Sequence, residues 1–169
     1  MALHRSGPQA TYETSEAMIS AAEAFLIDGK LGASETLCRQ VLNEERENAD
    51  ALAVLGRLAH MTGNQEQARR MLLRATQIAP NSASHHFTLG DMHHSFGDVE
   101  AAVASYYSAL NLDPNFYAVL VNLSNSLLIL QRYTAAEEIS RRAIELVPES
   151  AEAHSNLGQA VLKKGRLTE

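Results

Sequence analysis

Tryptophan is absent, and a single cysteine, Cys38, leaves no partner for an internal disulfide and too few thiols for a Cys-based zinc site. Aromatic residues are only 5% of 169 residues, and no apolar run approaches the roughly 18 residues needed to span a bilayer. Met1 to Thr14 carries His4 and Arg5 with no apolar stretch behind them, so no secretory signal is expected there. Positive charge is scarce: 14 Lys and Arg face 20 Asp and Glu, a formal net charge of -6. A surface of that sign repels phosphate backbones and anionic lipid, so neither nucleic acid nor membrane is an expected partner. These absences together predict a cytoplasmic protein. Its length fits one domain or one repeat array.

Proline is rare too, yet three of the four prolines, Pro80, Pro114 and Pro148, are each 34 residues apart. Leu55-Gly56, Leu89-Gly90, Leu123-Ser124 and Leu157-Gly158 keep the same interval, as do Ala68, Ala102 and Ala136, then Ala75, Ala109 and Ala143. Gly29, Gly63, Gly97 and Gly165 mark a turn at one fixed phase, with Gln131 in place of glycine in the fourth unit. A period of this length signals stacked supersecondary units. The phase gives a leader, 1–14, expected to be flexible or folded back into a groove, then an array over 15–169. Its units are 15–48, 49–82, 83–116, 117–150 and a partial 151–169. Within each, apolar or small residues fall at positions 4, 7, 8 and 11 and again at 20, 24, 27 and 28. Each set is one stripe of an amphipathic helix. The glycine separates the two stripes, and the proline disfavours helix at the residue before it. Each unit is therefore predicted to be a helix hairpin.

The pattern resembles the tetratricopeptide repeat, over about nine-tenths of the chain. The family's small residues at positions 8 and 20 appear as Gly56, Gly90, Ser124 and Gly158, with Ala68, Ala102 and Ala136. The resemblance implies an all-α, right-handed superhelical solenoid of nine helices. Departures occur at position 4, where the family's aromatic is replaced by Met18, Leu52, His86, Leu120 and His154. Unit one is the most degenerate, with Ala22, Ser34 and Arg46 for glycine, alanine and proline. The sequence stops where the second helix of a fifth hairpin should begin, which reads as a piece of a longer chain.

The resemblance also implies a concave side lined by positions 2, 5, 6, 9, 12 and 13. Asn122, Asn125, Asn156 and Gln159 then form an amide row able to hold an extended peptide backbone, since each amide both donates and accepts. The row is similar to part of the inner asparagine ladder of protein O-linked N-acetylglucosamine transferases; the plain alternative is solvated amides. Glu23, Arg57 and Asp91 alternate in sign across three neighbouring units and are expected to pair with one another, Arg57 being also available to a ligand carboxylate. Arg57 and Lys163 are the only basic residues on these positions, so the dicarboxylate clamp of co-chaperone members is not expected. Ile19, Leu26, Ile27, Phe87, Val121, Leu128 and Ile129 predict exposed apolar area of the kind that marks partner sites. The candidate partner-binding set is Arg57, Phe87, Asp91, Val121, Asn122, Asn125, Asn156 and Gln159, with self-association through the groove or the open C-terminal end also expected as an option.

Histidines His85, His86, His93 and His94 share one helix, with His60 one repeat before His94. Their mutual spacings miss the i, i+3 or i+4 pairing that places two ligands on one ion, so no metal is expected. His86, at the packing position, is read as a core histidine, and Cys38 as a small buried hydrophobe. No phosphate loop, nucleophile elbow or paired-carboxylate arrangement is present. Asp91, His94 and Ser95 do not make a triad, because adjacent helical side chains diverge. The expectation is a non-enzymatic scaffold, without cofactor, that binds a protein or peptide. The rival reading starts from residues 28–42, which resemble the opening repeats of bacterial proteins whose arrays precede a transferase domain. On it, the chain recruits substrate for a larger glycosyltransferase or sulfotransferase.

Overall fold

The computed structural model describes residues 14–165. The expected leader, apart from Thr14, lies outside the described residues. Among them are nine helices and no strand. They are α1 (Ser15–Ile27), α2 (Leu31–Glu44), α3 (Ala49–Met61), α4 (Gln65–Ile78), α5 (Ala83–Ser95), α6 (Val99–Leu112), α7 (Tyr117–Ile129), α8 (Tyr133–Leu146) and α9 (Ala151–Gly165).

The helix starts follow from side chains that accept orphan backbone N–H groups. Thr14, Asn48, Ser82 and Ser150 accept from Ala17, Ala51, His85 and Ala153 at 3.1, 2.9, 3.3 and 3.1 Å. Phe116 holds the corresponding place before α7 and has no capping side chain. The turns inside the hairpins are alike: the Lys30, Asn64, Asp98 and Arg132 amides reach back five residues to Phe25, Ala59, His93 and Leu127 carbonyls at 2.8–2.9 Å. This closure needs a left-handed residue at the turn. Gly29, Gly63 and Gly97 supply it at φ 74°, 78° and 82°, and Gln131 adopts it at 58°. Gln131 is thereby strained by about 1–2 kcal/mol.

Inside each hairpin, position 8 faces position 24, and the two sizes compensate. Leu72 and Tyr106 fill the notches left by Gly56 and Gly90: a Cβ on either glycine would lie 2.6 Å from Leu72 Cγ or 2.5 Å from Tyr106 Cε1. In the next hairpin the pair is Ser124 and Ser140, both fully buried and hydrogen-bonded through their hydroxyls at 2.5 Å. In the first, Ala22 and Cys38 share one buried cluster. Burial pushes the Cys38 thiol up to about 11, with Glu23 adding to the shift, so it is held as an inert thiol.

Hairpins stack in sequence. The odd-numbered helices touch along an inner row, α1 on α3, α3 on α5, α5 on α7 and α7 on α9, whereas no even-numbered helix packs on another. One side of the stack is thus continuous and the other is spread, which curves the solenoid around α3, α5, α7 and α9. Prolines between hairpins are anchored through their carbonyls. His86 and His154 Nε2 donate to Pro80 and Pro148 at 3.0 and 2.8 Å, and Arg142 donates to Pro114 at 2.9 Å.

Several expectations are corrected. His86 is not a core residue: it is half-buried against the Pro80 carbonyl, and its neighbour His85 is the buried one, 5% exposed and bonded to Asp50 at 2.9 Å. Leu26 and Val121 are buried, at 2% and 8% exposure, because α3 and α9 pack over them. Of the expected apolar patch, Ile27 and Ile129 are exposed, while Ile19, Phe87 and Leu128 are half-buried.

Candidate functional site: the inner groove

Three connected clefts run along the inner row. The first, about 490 Å3, lies between α3 and α5 and is lined by Arg57, His60, Met61, Phe87, Asp91 and Phe116, among others. The second, about 430 Å3, lies between α7 and α9, with Asn122, Asn125, Glu152, Ser155 and Asn156 on its walls. A smaller one of about 200 Å3 shares Asp91 with the first and Asn122 and Asn125 with the second, so the three form one track.

The walls of the first cleft are aromatic. Phe87 meets Phe116 at 5.1 Å between ring centroids and Tyr106 at 6.3 Å. His60 packs edge-on against Phe96 at 5.0 Å, and its Nε2 lies 3.3 Å from Ser95 Oγ. Arg57 pairs with Glu23 at 3.6 Å. Asp91 does not complete that charged row. Its Oδ1 accepts instead from the Tyr106 hydroxyl at 2.7 Å and from Asn122 Nδ2 at 2.8 Å. Burial is the main cause that pushes the Tyr106 phenol far above its ordinary range, followed by its bond to Asp91. Its hydroxyl donates to this carboxylate and fixes its position.

The amide row divides in two. Asn122 is committed to Asp91, and Asn156, 8% exposed, donates to the Val121 carbonyl at 3.3 Å. These two tie neighbouring inner helices together, leaving their amide oxygens as the groups for a ligand. The Asn125 side chain is exposed and hydrogen-bonds to no described residue; the Gln159 side chain is exposed and makes one long bond, 3.4 Å, to Ser155. Val121 contributes a buried side chain and an occupied carbonyl. The structure therefore brings Arg57, Phe87 and Asp91 to one cleft and Val121, Asn122, Asn125 and Asn156 to another. Gln159 lies on α9 outside the residues that line either.

Phe116 was missed from sequence, although a signal existed. It interrupts the capping series Asn48, Ser82, Ser150 with a residue that cannot cap. Among the described residues, no group of three or more His, Cys, Asp or Glu is placed to hold a metal ion. His94 Nε2 and His60 Nδ1 are buried without hydrogen-bond partners. No helix among the described residues is long and apolar enough to cross a membrane.

The tetratricopeptide repeat profile matches residues 25–89, and a second profile of the same description matches 66–115 and 121–169. The chain belongs to the tetratricopeptide repeat family. Mouse protein O-mannosyl-transferase TMTC3 is 25% identical over 146 residues, which are 78% of this chain but 16% of that protein. An O-GlcNAc transferase mutant from Thermobaculum terrenum superimposes with a TM-score of 0.70 at 29% identity, over 80% of this chain and 27% of the other. Pseudomonas aeruginosa pilF superimposes with a TM-score of 0.82 at 18% identity, covering 90% and 69% of the two chains, a likeness of fold. The chain thus spans about a sixth of the curated relative's length.

Proposed function

We propose that this tetratricopeptide array is a protein-interaction scaffold that receives an extended segment of a partner polypeptide in its inner groove. The units 15–48, 49–82, 83–116, 117–150 and 151–169 act as its modules. The observation that carries the reading is the continuity of the three clefts from α3 to α9. Asp91 and the Asn122–Asn125 pair join an aromatic cleft to a polar one. Packing and hydrogen bonds hold the track in shape before a ligand arrives, so the scaffold loses little ordering entropy on binding. Arg57, Phe87 and Asp91 contact one part of the ligand. Asn125, with the free oxygens of Asn122 and Asn156, contacts its backbone in the second cleft, which Val121 backs, and Gln159 extends the amide row along α9 beyond that cleft for a longer ligand.

The test is to select binders from a phage-displayed random dodecapeptide library and measure one of them by fluorescence anisotropy. Asn125→Lys in the groove should weaken it about tenfold or more, while Arg70→Glu, exposed on α4, should leave it unchanged. Equal affinity for both variants would remove the groove from the account. Sedimentation of the free chain separates self-association, through the groove or the outer face of α9, from binding of a different partner.

A second reading, that the array recruits substrate for an attached transferase, is favoured by the likeness to TMTC3 and to the Thermobaculum enzyme. On both readings the array itself does no chemistry.

A further inference from the structure

We infer that the cleft between α3 and α5 takes a lysine or arginine side chain of the partner, with Asp91 as its counter-ion; this rests on the groove reading above. Asp91 is half-buried, and both groups bonded to it are neutral: the Tyr106 hydroxyl and the Asn122 amide, on the same Oδ1. No cation among the described residues pairs with it. Arg57 lines the same cleft, but its charge is answered by Glu23 at 3.6 Å. Residues 75–131, which supply α5, α6 and α7, contain four acids and neither Lys nor Arg. Glu152, on the second cleft, adds negative charge further along the track. A half-buried carboxylate bonded only to neutral groups has its charge unanswered within the chain, and its fixed position beside an open cleft makes a ligand cation the natural complement.

The rest of the cleft suits the rest of such a side chain. Lys and Arg carry apolar stems that lie against apolar surface while the head reaches a polar group. Phe87 and Phe116, 5.1 Å apart and inclined at 46°, offer ring faces to the stem and to the cation. Met61, Leu72 and Met92 complete the apolar lining. Phe116 stands where the other hairpins place a capping residue, so the wall exists at the expense of a helix cap.

The experiment uses the full chain and the dodecapeptide library at pH 7.5. Selected peptides should be enriched in Lys or Arg at one register position, and replacing that residue by norleucine should weaken binding about tenfold or more. Asp91→Asn keeps the shape and the acceptor for Tyr106 while removing the charge, and should erase the preference for the cation over norleucine. Ser84→Lys, at the exposed rim of the same cleft, leaves Asp91 and its partners untouched and should weaken cationic peptides selectively. Raising salt from about 50 to about 300 mM should weaken the cationic peptide more than the norleucine one. Peptides without a basic preference that still lose affinity on Asn125→Lys would overturn the cation site and leave the groove standing. A library that yields no groove binder would overturn both.

Discussion

Two glycines at the same repeat position should respond to the same substitution with opposite signs. At Gly90 an added Cβ would lie 2.5 and 2.6 Å from the Tyr106 ring, and Tyr106 is 1% exposed with no room to retreat except away from Asp91. Overpacking of this kind costs about 1–3 kcal/mol. Displacing the ring weakens a hydrogen bond to a charged group, a further ~1.5–3 kcal/mol at most. Alanine returns about 1 kcal/mol of helix propensity. Gly90→Ala should therefore destabilise by about 2–4 kcal/mol, lowering Tm by roughly 5–15 °C. At Gly158 an added Cβ meets no atom of the described residues within 4 Å. Only the propensity gain of about 1 kcal/mol remains, raising Tm by roughly 2–4 °C. Far-UV circular dichroism during heating and urea titration reads both. A neutral Gly90→Ala, or a Gly158→Ala as damaging as Gly90→Ala, would refute the notch-filling argument.

Gln131→Gly should stabilise by about 0.5–1 kcal/mol, because relief of left-handed strain exceeds the entropy of an added glycine; urea denaturation midpoints decide it, and a loss of stability counts against the strain. Burial, with Arg69 adding to it and Asp98 at 4.0 Å opposing, holds His93 below the ordinary imidazole value. The unfolded chain then binds that proton more tightly than the fold does. Stability supplied by neutral His93 is present above about pH 6.5 and is lost as pH falls through the ordinary imidazole range towards its lower folded value. His93→Gln should flatten that part of the pH profile of Tm, and an unchanged slope removes His93 as its source. Phe116→Ser should let residue 116 cap α7 while stripping the wall from the first cleft, so peptide affinity should fall about tenfold or more without a matching fall in Tm. Retained affinity in that variant would mean the aromatic wall is not part of the site.

The 34-residue period carried the architecture, because each repeated marker has one local job: a glycine for a left-handed turn, a small residue where helices touch, a proline where a helix must not continue. Even the exception was legible. Gln131 occupies the glycine phase, and its backbone obeys the phase rather than its own preference. The groove was legible only as a set of positions. Sequence placed Asn122 and Asn156 on the inner face but could not show that their donors are taken by Asp91 and Val121, since each bond joins residues more than 30 apart. His85 and His86 illustrate the same limit. Adjacent on one helix, they differ in burial and in partner: buried His85 meets Asp50 on α3, and half-buried His86 meets the Pro80 carbonyl. The alternating row Glu23, Arg57, Asp91 suggested a chain of ion pairs, yet Tyr106, filling the Gly90 notch from α6, reaches Asp91 instead.

Hydrogen exchange of the full chain, with and without a library-selected peptide, reads whether the inner groove receives the ligand already formed. Binding in a preformed groove predicts added protection on α3, α5, α7 and α9, little change on α2, α4, α6 and α8, and an unaltered far-UV spectrum. Protection concentrated on the even-numbered helices, or a gain of helix on binding, would contradict it.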